Sequence, residues 1–96
     1  MNYQLQPSGG LLEAIIDDNC GLKKFYSIAN VMAKELKVKF IGKEDDSATV
    51  DWHFKYKGQP LTLQHNIYNG VSILTKEGKP SKVIGELANF LTGKVF

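Results

Sequence analysis

Asp51, His53 and Lys55 stand two apart in the run Thr49-Val50-Asp51-Trp52-His53-Phe54-Lys55-Tyr56. In an extended strand all three project from one face. A carboxylate beside an imidazole can orient it, and a neighbouring ammonium can hold an anion, which together describe a general base next to a charged substrate. A solvated strand face yields the same neighbours with no catalytic purpose, because an open sheet excludes no water. His65 falls on the opposite, apolar face, expected beside Trp52 in the adjoining strand. There it could ligate or switch, or simply sit at the core edge with one ring nitrogen hydrogen-bonded. Cys20 precedes a helix start, which favours a thiolate, while Asp17 and Asp18 disfavour one and no histidine adjoins it. Two histidines and one cysteine cannot close an ordinary zinc site without carboxylates. Gly9-Gly10 stands alone, so no phosphate-cradling loop is present, and no Ser/His/Asp ordering emerges. The expectation is a chain that is not an enzyme and carries no metal and no cofactor.

All 12 basic residues are lysine. Arginine forks supply most bidentate recognition of phosphate and guanine, and lysine replaces them only as a mobile point charge. Sequence-specific DNA reading is therefore not expected. The net charge of +2 conceals an uneven distribution. Residues 1–19 carry three acids and no base, and residues 20–43 carry six lysines and Glu35, a net of +5. Residues 44–51 hold Glu44, Asp45, Asp46 and Asp51, and residues 52–96 return to a net of +4. None of these blocks is a polyelectrolyte tail.

The elements that must position these groups follow from hydrophobic periodicity. Pro7-Ser8-Gly9-Gly10 is a loop signal, so residues 1–10 read as an N-terminal arm or short strand, and residues 11–96 as a single α+β domain. Leu11–Asp17 is a short apolar run whose length favours a strand, and Asp17-Asp18-Asn19 offers three helix caps in a row. Leu22, Phe25, Ile28, Ala29, Met32 and Leu36 then recur at spacings of three and four, the stripe of an amphipathic helix. From Lys37 the period becomes two. Lys37–Ile41 is predicted as a short strand, with an acidic loop over residues 42–47. Ala48, Val50, Trp52, Phe54 and Tyr56 alternate with polar residues, Gly58-Gln59-Pro60 is predicted to turn the chain, and Leu61, Leu63, His65 and Ile67 share the face of the next strand. A three-residue loop, Tyr68-Asn69-Gly70 with Gly70 left-handed, pairs Ile67 with Val71 and keeps Val71 and Ile73 on the apolar face. After Lys79-Pro80-Ser81, residues Ile84, Leu87, Ala88 and Leu91 form a second helical stripe. The predicted order is β-α-β-β-β-β-α, an antiparallel meander of four or five strands with two helices on one face.

At about 65% of its surface buried on folding, such a chain has a core without staples. No apolar run approaches a membrane span, the N-terminus lacks a leader pattern, and the lone cysteine suits a reducing compartment, so a cytoplasmic location is expected. Function is expected on surfaces. Lys37, Lys39, Lys55 and Lys57 are predicted on the sheet face away from the helices, with His53, Gln64 and Tyr68 extending it. The same polar face can serve solubility alone. Val71-Ser72-Ile73-Leu74 lacks the lysine or proline that blunts an edge strand, so it can pair with itself or a partner strand if residues 11–17 do not cover it, and the apolar tail Val95-Phe96 either docks or contacts a partner. The leading expectation is a non-enzymatic module of the inhibitor, immunity or adaptor kind, acting on a protein partner through the lysine face or a strand edge. A homodimer through a sheet edge stays open, and no membrane is expected. Nonspecific nucleic-acid binding is the alternative, weakened by the missing arginine and by aromatics that face inward. A small-molecule pocket lined by Trp52, His65 and Tyr56 is the third reading.

Overall fold

A computed structural model describes residues 4–8, 11–18, 21–46, 48–68, 70–75 and 82–93, with residues 4–8, 11 and 12 described by backbone alone. Along the chain run β1 (Gln4–Ser8), β2 (Leu11–Asp17), α1 (Leu22–Glu35), β3 (Phe40–Asp45), β4 (Thr49–Tyr56), β5 (Gln59–Asn66), β6 (Gly70–Thr75) and α2 (Lys82–Thr92). The α+β reading and the β-α-β-β-β-β-α order hold from Leu11 onward, and β1 adds a strand in front. All pairings are antiparallel, in the order β1-β2-β6-β5-β4-β3. The readings of Cys20, of Lys79-Pro80-Ser81 and of Val95-Phe96 lie outside the described residues.

The two helical stripes meet the apolar face of the sheet as their spacing requires. Phe25, Ile28, Ala29 and Met32 of α1 are buried with Ile84, Leu87, Ala88 and Leu91 of α2. They close one core over Ala14, Val50, Phe54, Leu61, Leu63, Val71 and Ile73. The α2 helix packs on β2 and β6, and α1 on β5.

Four local expectations change. The α1 N-cap is Gly21 with no side-chain cap. Asp17 ends β2 instead, where its carboxylate accepts a hydrogen bond from Lys24 Nζ. At the other end Lys37 turns left-handed (φ 59°), so it cannot begin a strand. The Val38 N–H returns to the Met32 carbonyl, and β3 starts only at Phe40, running through the residues expected as an acidic loop. The β4–β5 turn is a two-residue loop, Lys57 (φ 52°) and Gly58 (φ 80°), both left-handed as a type I′ hairpin demands. Pro60 then sits in β5 opposite Lys55, before the β5–β6 ladder begins at Leu61.

The fourth change is the β5–β6 register. His65 faces Val71 and Leu63 faces Ile73, two residues from the expected pairing, so Ile67 belongs to the loop and is 61% exposed. A shift of two preserves the faces, and Gly70 is left-handed as expected (φ 73°). A Cβ on Gly70 would lie 2.0 Å from the Asp17 carbonyl oxygen.

The open pairing of residues 11–17 is answered at β6, which β2 covers. β6 lies between β2 and β5, and every residue from Gly70 to Thr75 is buried. Its lack of lysine and proline reflects a central position, not an unguarded edge. On the face away from the helices, Ser72 (2% exposed) stands between Ile15 and Gln64 of the flanking strands. It donates to Glu13 Oε1 at 2.9 Å.

Candidate functional site

The lysines do not gather on the outer sheet face. Lys55 is there, exposed in alternation with Asp51 and His53. Lys37 and Lys39 occupy the exposed connection between α1 and β3. The left-handed backbone at Lys57 breaks the alternation and sends its side chain to the helix side, where Nζ lies 2.8 Å from Glu86 Oε2 of α2. Tyr68 is 79% exposed in the β5–β6 turn, its N–H donating to Asn66 Oδ1 at 2.7 Å. The seven residues expected to form one surface therefore divide among four places.

What the outer face carries is cross-strand pairing. His53 Nδ1 lies 2.8 Å from Thr62 Oγ1, and its Nε2 lies 3.5 Å from Glu44 Oε2. Gln64 Nε2 donates to Asp51 Oδ1 at 2.9 Å. Asp51 thus serves Gln64, and the carboxylate nearest His53 comes from β3. Glu44, His53 and Thr62 do line up as carboxylate, imidazole and hydroxyl. Thr62 is only 8% exposed, however, and the Glu44 side chain is 73% exposed, so the hydroxyl is shielded from substrate and the carboxylate is screened by water. The arrangement ties β3, β4 and β5 together, as cross-strand polar pairs do. Among the described residues no three His, Cys, Asp or Glu side chains gather as a metal site requires.

An aromatic groove between α1 and the β3–β4 edge shares Trp52 with the pocket expected between helices and sheet, and its other lining residues are ones that sequence reasoning missed. Tyr26, Ala29, Asn30 and Ala33 form its helix wall, and Phe40 and Trp52 its sheet wall, around a volume of about 270 Å³. Helical spacing explains the first wall, because 26, 29, 30 and 33 recur at i, i+3, i+4 and i+7 beside the buried stripe. The small side chains at 29 and 33 leave room beneath Tyr26. Trp52 is the hub of the second wall, with ring centroids 5.7 Å from Tyr26, 5.3 Å from Phe40 and 5.1 Å from Phe25. Lys43 Nζ lies 4.2 Å from the Trp52 ring centroid, a cation–π contact worth about 0.5–1 kcal/mol at an exposed site. Neither His65 nor Tyr56 lines the groove. His65 stacks edge-on to fully buried Phe25.

The groove opens onto an unpaired edge. β3 has β4 on one side and no strand on the other among the described residues. Its residues from Lys43 to Asp45 are exposed, and Ile41 is 70% exposed at a register shift between Phe40 and Gly42. Charge and a bulge blunt indiscriminate pairing, and among the described residues no second strand pairs with the outward main-chain groups. The clue in the sequence was Ile41, an apolar residue out of phase with the alternation, together with the second stripe at 26–33. Among the described residues no helix is long and apolar enough to cross a membrane. No protein family model, characterised protein or solved structure matches this chain, so the groove and its edge are read from their own geometry.

Proposed function

We propose that this chain is a non-enzymatic binding module, of the inhibitor, immunity or adaptor kind, that holds a partner protein at the β3 edge. The partner lays an extended segment along β3 and sets one apolar side chain into the groove between Tyr26 and Trp52. The observation that carries this reading is the juxtaposition of an unpaired strand edge with an aromatic groove beside it. Strand addition draws affinity from main-chain hydrogen bonds and selectivity from pockets for alternate side chains, and this surface offers both. The groove is open along one side, which suits a side chain on a strand better than an enclosed ligand. Nonspecific nucleic-acid binding through a lysine face loses support, since Lys37, Lys39 and Lys57 lie off that face.

Selection of linear peptides displayed on phage against the full chain, with each binder mapped by amide chemical shifts, tests the proposal. Extended binders that shift β3 amides and the Trp52 indole are expected. Their affinity should fall at least about tenfold in Tyr26→Asp and Ile41→Asp, a loss of about 1.4 kcal/mol, with melting temperature little changed because both side chains are half-exposed or more. Binders that shift only residues elsewhere, or retention of full affinity by both variants, would sink it.

A further inference from the structure

We infer that the β3 edge is polar in a directional sense: it accepts an antiparallel segment whose helix-side residues read base, acid, apolar from its N-terminus. This rests on the strand-docking reading above and names the chemistry of the segment. On the helix side β3 presents Phe40, Lys43 and Asp45 in that order, since they face Phe54, Trp52 and Val50 of the core side of β4. On the outer side Gly42 faces His53, and Glu44 is engaged with the same imidazole. The helix-side order is thus apolar, positive, negative. Lys37 and Lys39 precede its apolar end, and Asp46 follows its negative end.

A strand added to this edge would lie about 4.8 Å away with its side chains directly beside those of β3. Its apolar residue would stand beside Phe40 and reach the groove over Ala33. A carboxylate would stand beside Lys43 and an ammonium beside Asp45. Opposite charges placed this way stabilise a pair of strands, and like charges destabilise it. β4 shows the spacing: its consecutive residues Phe54, His53 and Trp52 face Phe40, Gly42 and Lys43, absorbing Ile41 as the extra residue. A second strand can do the same from the open side, giving base-x-acid-x-apolar. Antiparallel direction follows because this sheet is antiparallel throughout, and that pairing is the more stable per residue. The segment then ends next to Lys39 and Lys37, which favour a carboxylate there.

Two acetylated, amidated heptapeptides of identical composition, T-K-T-E-T-L-T and T-E-T-K-T-L-T, test the inference when titrated to millimolar concentration against the full chain. Amide shifts of β3 and the fluorescence of Trp52, the single tryptophan, report binding. The first peptide should bind roughly threefold to tenfold tighter at low salt, the range expected for reversing two exposed charge pairs. The preference should invert in the variant carrying Lys43→Asp with Asp45→Lys. Equal affinities with β3 shifts would overturn the directional inference and leave strand docking intact. No β3 shift with either peptide would overturn the docking reading itself. Stronger shifts of the same amides by a thymidine decanucleotide would reassign the edge to single-stranded nucleic acid and overturn both.

Discussion

The two halves of the sheet treat apolar surface differently. Over β2 and β6, helix α2 buries Ile84, Leu87, Ala88 and Leu91 to 1% exposure or less, against Ala14 and Ile73 at 0%. Toward β4 and β3, Phe25 and Met32 of α1 are fully buried, but Tyr26 of α1 is 50% exposed and Ile41 of β3 70%. The first half is closed on both sides of its central strand. The second ends in a partly covered aromatic wall beside an edge strand. Covered apolar surface is folding free energy, and uncovered surface of the same kind is free to be covered by something else. The α2 half therefore supplies closed core, and the α1–β3 margin is where the proposed partner segment would lie.

Truncation on each side should separate the two roles. Ile73→Ala empties part of the closed half and is expected to cost about 2–5 kcal/mol in urea denaturation, as large-to-small changes in tight cores do. Tyr26→Ala removes a half-exposed ring from the groove wall and should cost under about 1 kcal/mol, while weakening any β3-directed peptide. If Tyr26→Ala destabilises as strongly as Ile73→Ala, the groove wall is core and the contrast collapses.

Gly70→Ala comes next in size. The new Cβ would meet the Asp17 carbonyl oxygen at 2.0 Å, and alanine would have to hold φ 73°. Left-handed strain plus a forced shift of β2 should cost about 2–4 kcal/mol. Because this contact ties β6 to the end of β2, hydrogen exchange should rise in those strands before it rises in β3. Exchange that rises first in β3 would mean that the edge half, not the closed half, depends on this junction.

These elements were legible to different degrees. Both helical stripes, the long alternation of β4 and the faces of β5 and β6 could be read, because each is a repeated pattern that only one burial geometry satisfies. Strand order could not. Val71-Ser72-Ile73-Leu74 looks like an unguarded edge in sequence and is the centre of the sheet in space, because the residues that cover it, Glu13 and Ile15, lie some 60 positions earlier. The lysine surface failed for a backbone reason. Alternation places side chains only while the strand continues, and at Lys37 and Lys57 the chain is left-handed. The groove's lining other than Trp52 was missed because Tyr26 sits beside the main stripe and its partner Phe40 follows a helix end that periodicity could not locate.

That helix end gives a smaller and opposite effect. Lys37 holds φ 59° at the C-terminus of α1, which glycine adopts without strain. Lys37→Gly is expected to raise stability by about 0.5–1 kcal/mol, the left-handed cost less the extra chain entropy of glycine. The groove should keep its affinity for an apolar side chain and lose a little for the acidic end of a segment. A loss of stability would show that Lys37 makes a contact outweighing its backbone strain.

The smallest expected effect lies where the β4–β5 turn meets α2. The hydrogen bond from Lys57, and then its charge, hold the Glu86 carboxyl below its ordinary range, and the same two causes hold the Lys57 ammonium above its own. A carboxyl held low adds stability that is present above its unfolded value and disappears as acid protonates it. An ammonium held high adds stability that is present below its unfolded value and is lost as alkali removes the proton. The pair should thus act on a plateau spanning neutral pH, and weakly, because both side chains are well exposed and salt screens them. The melting-temperature difference between the native chain and Glu86→Gln should be small at pH 7, begin to fall near the ordinary glutamate value of about 4.3 and vanish in stronger acid. It should also shrink in about 1 M salt, where screening reaches roughly 3 Å. A difference that grew on acidification would mean Glu86 acts through some group other than Lys57. The α2 side would then be held at its rim by more than its apolar stripe.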